Sequence, residues 1–283
     1  MIELTENKQV IVAQLQKNAL QLILQAISQL SQASDIHKEV HETRKVIKKI
    51  RSILLLLKYN MQAHDFKLEN KKLRNINRRL APLRDIRSQI EIFEKLLLKP
   101  EFENFEQINS ILARLHIEKA KIADKFFHQS VFLKQTKALQ KVLYRLEKTG
   151  LNPDSSVVYN QGLASTYNKA QTLFNNALAY NTSHHFHEFR KYNKYLSNQL
   201  LFLPQSDNAL MIEMKEKLVV LSGYLGDEHD LSIVTAALET HQPVNGALHA
   251  SLKSEILQLR FRIQALASEV FNANAQSFIA LLQ

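Results

Sequence analysis

The 283-residue chain has no cysteine and only five glycines and five prolines. Without cysteine there is no disulfide scaffold, no thiol nucleophile and no cysteine-ligated zinc or iron–sulfur site. So few glycines and prolines leave it short of turn residues, while its bias toward Leu, Lys, Gln and Ala favours helix. No stretch approaches the ~18 apolar residues of a membrane span. The longest apolar runs, such as Ile53 to Leu57, reach only five residues. The opening residues, MIELTENKQV, lack the basic start and apolar core of a secretory signal. These absences predict a cytoplasmic, helical protein with no membrane partner.

What the chain does have is concentrated positive charge. Its net charge is +10. Residues 37–51 hold six Lys/Arg against two acids and residues 67–87 hold eight against two, so these segments account for the whole excess. A localised positive field points to a polyanionic partner.

Apolar spacing follows the helical period nearly throughout, which predicts an all-α fold. Helices are expected at about 3–31, 36–59 and 66–98, then a long one ending near Lys148. Ser34 or Asp35 can cap the second, Lys99-Pro100 ends the third, and Pro82 predicts a bend or break within it. The stretch Thr149-Gly-Leu-Asn-Pro-Asp-Ser-Ser156 is the strongest boundary signal. Beyond it, segments at about 157–181, 184–203, 207–241 and 247–282 are punctuated by Pro204, Pro243 and Gly246.

Four helical segments on each side of one loop suggest a duplicated unit, and the residues support it. His41-Glu-Thr-Arg44-Lys45-Val-Ile-Lys48 and His187-Glu-Phe-Arg190-Lys191-Tyr-Asn-Lys194 share one pattern at an offset of 146. Arg84-Asp85-Ile86 lies opposite His229-Asp230-Leu231 at an offset of 145. Two motifs recurring in order at nearly one offset predict two pseudo-symmetric four-helix bundles from an internal duplication, residues 1–150 and 151–283.

At about 100° per residue, His37, Lys38, His41, Arg44, Lys45, Lys48, Lys49 and Arg51 share an arc of roughly 160°. Val40, Val46, Ile47, Ile50, Ile53, Leu54 and Leu57 fill the opposite side, and only Leu55 and Leu56 intrude on the basic one. In the second copy His184, His187, Arg190, Lys191, Lys194, Tyr195 and Asn198 oppose Phe189, Leu196, Leu200 and Leu203. Like charges one turn apart repel, at a few tenths of a kcal/mol per pair. A chain of phosphates relieves that repulsion: arginine meets phosphate oxygens with two parallel donors, and histidine gains a proton beside an anion.

The pattern His41-x-x-Arg44-x-x-x-Lys48-Lys49-Ile50-Arg51 resembles the signature of the CHAD domain, the conserved histidine α-helical domain. Asn77-Arg78-Arg79-Leu80-Ala81-Pro82-Leu83-Arg84-Asp85, the His187 helix and Leu225-Gly226-Asp227-Glu228-His229-Asp230-Leu231 are similar to its other elements, over roughly residues 5–280. The resemblance implies two four-helix bundles facing a shared basic groove, binding of inorganic polyphosphate and no catalytic activity. The binding residues it suggests are His41, Arg44, Lys45, Lys48, Lys49, Arg51, Arg78, Arg79, Arg84, His187, Arg190, Lys191 and Lys194. Asp85 and Asp230 are expected to hold neighbouring side chains or cap helices. No cofactor or metal is expected. The chain lacks the paired-glutamate strands of a triphosphate tunnel domain, so a polyphosphate- or triphosphate-processing enzyme would be a separate partner. Association with polyphosphate granules is the corresponding expectation for location. Lys48 and Lys49 stand where arginine is commoner, Arg87 stands where many members carry a second aspartate, and Ser197-Asn198 replaces an Arg-Tyr pair. The second half of the groove is therefore expected to bind more weakly.

The alternative is nucleic-acid binding, which charge alone would support. No recognised nucleic-acid motif is present, and aromatics do not cluster on the basic faces, so weak binding at most is expected. His37 and His41 have metal-pair spacing, but neither the Glu-x-x-His pairs of di-iron bundles nor a His-Glu-x-x-His zinc motif occurs. A phosphate-binding Gly-x-x-x-x-Gly-Lys loop is absent too, and acids on the basic faces are too few for phosphoryl-transfer chemistry.

Overall fold

Apolar residues recurring every three or four positions make helices, and every regular element among the described residues of the computed structural model is helical. Residues 2–32, 35–98, 106–204, 208–240 and 246–282 are described. The first part of the chain forms α1 (Ile2–Ser31), α2 (Ile36–Leu56), α3 (Ala63–Leu97), α4 (Glu106–His128) and α5 (Val131–Lys148). Next come α6 (Ser155–Val157), a π-helical turn (Val158–Leu163) and α7 (Ala164–Tyr180). The chain continues through α8 (Ser183–Phe202), α9 (Ala209–Glu239), α10 (Gly246–Val270) and α11 (Ala275–Ala280).

Asp35 caps α2, accepting from the His37 and Lys38 amides at 2.9 and 3.1 Å. Thr182 caps α8 through the His185 amide. Ser34, Lys99, Pro100 and Pro243 lie outside the described residues.

Three boundaries differ from the sequence expectation. Helix α3 runs unbroken through Pro82. The proline and the neighbouring Arg78 and Arg79 are exposed, so water can take the carbonyl that the missing N–H leaves free. The expected long helix before residue 148 is instead two, turning at Ser130 in the left-handed region (φ 50°). The last segment divides after Val270. There the Tyr167 hydroxyl donates to the Val270 and Ala273 carbonyls, and Gln171 Nε2 donates to those of Phe271 and Ala273. Side chains of α7 thus end α10 without glycine or proline.

Helices α1, α2, α3 and α5 pack together, as do α7, α8, α9 and α10. The two sets meet where α2 lies against α8 and α3 against α9. The meeting pairs equivalent positions: Asn198 Nδ2 donates to Ser52 Oγ at 3.4 Å, an offset of 146, and Gln199 Nε2 donates to the Ser52 carbonyl at 3.2 Å. This arrangement is compatible with two copies of one four-helix unit.

One large apolar core joins both sets around Ile47, Ile50, Tyr167, Phe186 and Phe189. A smaller one, built on Phe93, Leu96, Ile108, Val234, Leu238 and Leu252, ties the far ends of α3 and α9 to α4 and α10. Leu56, placed by periodicity on the basic side of α2, is fully buried, because the π-helical turn covers that end of the helix. Contact there is so close that a Cβ on Gly162 would fall 2.1 Å from the Leu56 carbonyl oxygen.

Candidate anion-binding groove

Along α3 and α9, the stretch from Arg84 to Lys95 and the turn from His229 to Ile233 fall between contributors to the two cores. Facing them are one side of α2 and one side of α8. The four helices enclose a groove of about 600 Å³. Its cations are Arg44, Lys45 and Lys48 from α2, Arg84 and Lys95 from α3, and Arg190 from α8. His41, His187 and His229 add three imidazoles. Against these six cations stand three carboxylates, Asp85, Glu91 and Asp230.

Each carboxylate has a cation beside it. Asp85 Oδ1 lies 3.3 Å from an Arg44 terminal nitrogen, while the other terminal nitrogen donates to the Asn77 carbonyl at 2.9 Å. This clamp holds a largely buried guanidinium at the wall. Glu91 receives Arg84 at 2.8 Å and Arg87 at 2.9 Å. These bonds hold its carboxyl below the ordinary range although burial works the other way. Burial raises Asp230, with Arg190 opposing.

Crowded cations leave the basic groups reluctant to carry charge. His229 is pushed down to about 4, first by burial, then by His187, Arg190 and Lys48. His187 is lowered by burial and by Arg190 and Lys191, and His41 by burial and Arg84. Lys48 keeps part of its surface in solvent, yet the groove walls crowd around it. Burial, with Arg44 and Arg190 adding repulsion, brings its ammonium down to about 8. Nearby, His187 Nδ1 and Arg190 Nε are buried without a hydrogen-bond partner. An anion at this place would offset the repulsion and restore these groups to their charged forms.

Of the thirteen residues singled out in the sequence, seven line the groove: His41, Arg44, Lys45, Lys48, Arg84, His187 and Arg190. Lys194 is one turn beyond Arg190, and burial together with Arg190 and Lys45 lowers it. Lys49 is half-buried on α2 outside the lining. Arg51 donates from Nε to Asn70 Oδ1 at 2.9 Å, with its guanidinium 5.4 Å from the Tyr195 ring centre. Lys191 is paired with Glu188 at 2.9 Å. Arg78 and Arg79 line a different cavity, with Lys125 and Lys134.

The structure also brings in residues that site selection from the sequence passed over. His229 sat within a quoted motif, and the offset that pairs it with Arg84 was its signal. Ser88, Ile92 and Lys95 recur at helical spacing on the groove side of α3. Their membership depends on α9 crossing beside them, which periodicity within α3 does not reveal.

The fold and groove define an all-helical protein in which two helix sets converge on one cationic cleft. The chain belongs to the CHAD domain family, whose model matches residues 13–239. No curated protein matches it. Among the described residues no helix is long and apolar enough to cross a membrane, and no three His, Asp or Glu side chains group as a metal site.

Proposed function

We propose that the groove binds inorganic polyphosphate and that the protein is a receptor for this polymer rather than an enzyme acting on it. The observation that carries the reading is the convergence of six Lys/Arg and three His from four helices, where burial and neighbouring cations lower the pKa of Lys48 and of the three imidazoles. A linear polyanion supplies closely spaced charge and acceptor oxygens, and arginine can meet these with paired donors. Membership of the CHAD family agrees with a phosphate-polymer ligand.

A non-catalytic role fits the carboxylates, each of which already has a cation beside it. Among the described residues the groove lining contains no Phe, Tyr or Trp. It therefore lacks the larger aromatic rings on which successive bases stack most strongly, which disfavours single-stranded nucleic acid as the ligand. Such a receptor would sit where polyphosphate accumulates, in the cytoplasm or at its granules, and could hold the polymer for a separate processing enzyme.

Calorimetric titration with medium-chain polyphosphate, beside single-stranded DNA and transfer RNA at equal phosphate concentration and physiological salt, tests this. Tight polyphosphate binding that disappears in Arg44→Glu/Lys48→Glu, with the helical fold retained by circular dichroism, is expected. Equal or stronger nucleic-acid binding, or full affinity in the folded double variant, would overturn the proposal.

A further inference from the structure

Arg78 and Arg79 belong to a second cavity. It measures about 660 Å³ and opens between α3, α4 and α5. Four cations rim it: Arg78 and Arg79 from α3, Lys125 from α4 and Lys134 from α5. Among the described residues no carboxylate lines it and none of the four is in an ion pair. In that respect it is more one-sided than the groove, where three carboxylates temper six cations.

Its lower surface is of another kind. Pro82, Ile122, Phe126 and Val131 form an apolar floor, and the Gln129 and Gln135 side chains stand beside it. The turn between α4 and α5 shapes this floor. Ser130 adopts φ 50° and makes no side-chain cap, so the first amides of the 18-residue α5 have no capping side chain where the helix meets the cavity. A positive helix end thus adds to the cationic rim. The volume lies within the roughly 300–1,000 Å³ that holds small ligands.

We propose that this cavity is a second, independent anion site that takes a nucleoside polyphosphate. Phosphates lie on the rim of Arg78, Arg79, Lys125 and Lys134. The base lies over Pro82, Ile122 and Phe126, within reach of amides that can pair with its edge. Inorganic polyphosphate has no apolar part to use that floor, whereas a nucleotide uses both halves of the cavity. The inference stands apart from the polyphosphate reading of the groove: either site can fail without the other.

The test titrates ATP, inorganic triphosphate and medium-chain polyphosphate, without added metal and at physiological salt, into three proteins. These are the unaltered chain, Arg79→Glu/Lys125→Glu, and the groove variant Arg44→Glu/Lys48→Glu. ATP is expected to bind the unaltered chain at least tenfold more tightly than triphosphate. The first variant is expected to lose ATP binding at least tenfold while keeping polyphosphate affinity within about twofold, and the groove variant to keep its ATP affinity. All four rim cations are exposed, so folding should survive. Circular dichroism checks this, and the milder Arg79→Gln, expected to weaken ATP about threefold, covers a misfolded double variant. ATP affinity unchanged in the folded rim variant, or lost only in the groove variant, overturns the second site. Triphosphate binding as tightly as ATP removes the role of the apolar floor and with it the nucleotide assignment.

Discussion

The His187 and His229 rings lie 4.6 Å apart, centre to centre, inclined at 37°, one contributed by α8 and the other by α9. Two imidazoles this close cannot both be protonated cheaply, and Arg190 acts on both while Lys48 acts on His229. The ligand-free groove therefore stores a proton deficit that an anion would fill.

That deficit has a sign. His41, His187 and His229 all titrate below the ordinary 6.5, His229 at about 4. Between these values the unfolded chain binds more protons than the folded one. The stability these groups contribute is thus complete above pH 6.5 and is lost as pH falls toward 4. A bound polyanion raises the same pKa values, so binding takes up protons. Polyphosphate affinity is expected to be at least threefold higher at pH 6 than at pH 7.5. Titrations at pH 6.5 in two buffers of different ionisation heat should report net proton uptake. Equal observed heats in the two buffers and a flat affinity profile would remove the histidines from the site.

The Arg44–Asp85 contact makes a separate expectation. Asp85 is 59% exposed and Arg44 only 14%, so the pair is half open to water and contributes little to stability. Its carboxylate nevertheless occupies the donors that a phosphate would use. Asp85→Asn should leave the unfolding midpoint within about 1 °C and strengthen polyphosphate binding about threefold, a change of roughly 0.6 kcal/mol on the scale of exposed pairs. Weaker binding would instead make Asp85 a positioning residue that Arg44 needs.

The basic face of α2 was legible because one helix writes its two faces at a fixed period. Every apolar residue assigned to its other side is buried, from Val40 to Leu57. The turn at Ser130 was not legible. Neither glycine nor proline marks it, and a serine there takes a conformation that only its neighbours' packing can impose. The same holds for the end of α10, fixed by Tyr167 and Gln171 from a hundred residues away. The site was legible where a motif carried its residues and illegible where two helices had to cross. His41 and Arg190 could be named, whereas Lys95 joined only through its place beside α9, and Arg78 and Arg79 faced another cavity despite their motif.

Gly162 provides a test of how the π-helical turn docks on α2. An added Cβ would lie 2.1 Å from the Leu56 carbonyl oxygen, and that neighbour is backbone, which cannot swing aside. Gly162→Ala should destabilise the protein by about 3 kcal/mol, the upper part of the usual range for overpacking. Gly150→Ala, with open space at the same distance, is expected to change stability by less than about 1 kcal/mol. Urea denaturation followed by circular dichroism distinguishes them, and equal midpoints would show that the turn can shift.

The register of α9 depends on Glu228, immediately before His229. Its side chain is 1% exposed, and Arg260 of α10 donates to Oε1 at 2.7 and 3.0 Å. The same guanidinium donates to the Asn181 carbonyl at 2.7 Å and to Ser183 Oγ at 3.0 Å, at the start of α8, and lies 4.7 Å from the Phe186 ring centre. One arginine therefore ties together the helices that carry His187, Arg190, His229 and Asp230. Removing one partner of a buried pair costs about 3–5 kcal/mol, because the other charge stays buried. Glu228→Ala should fall in that range. Glu228→Gln, which keeps an acceptor, should lose less. Since neither variant removes a groove cation, any loss of polyphosphate affinity measured well below the unfolding temperature reports displaced α9 side chains. A folded Glu228→Gln protein with tenfold weaker binding would establish Glu228 as a positioning residue. Unchanged binding alongside lower stability would confine it to holding the helices together.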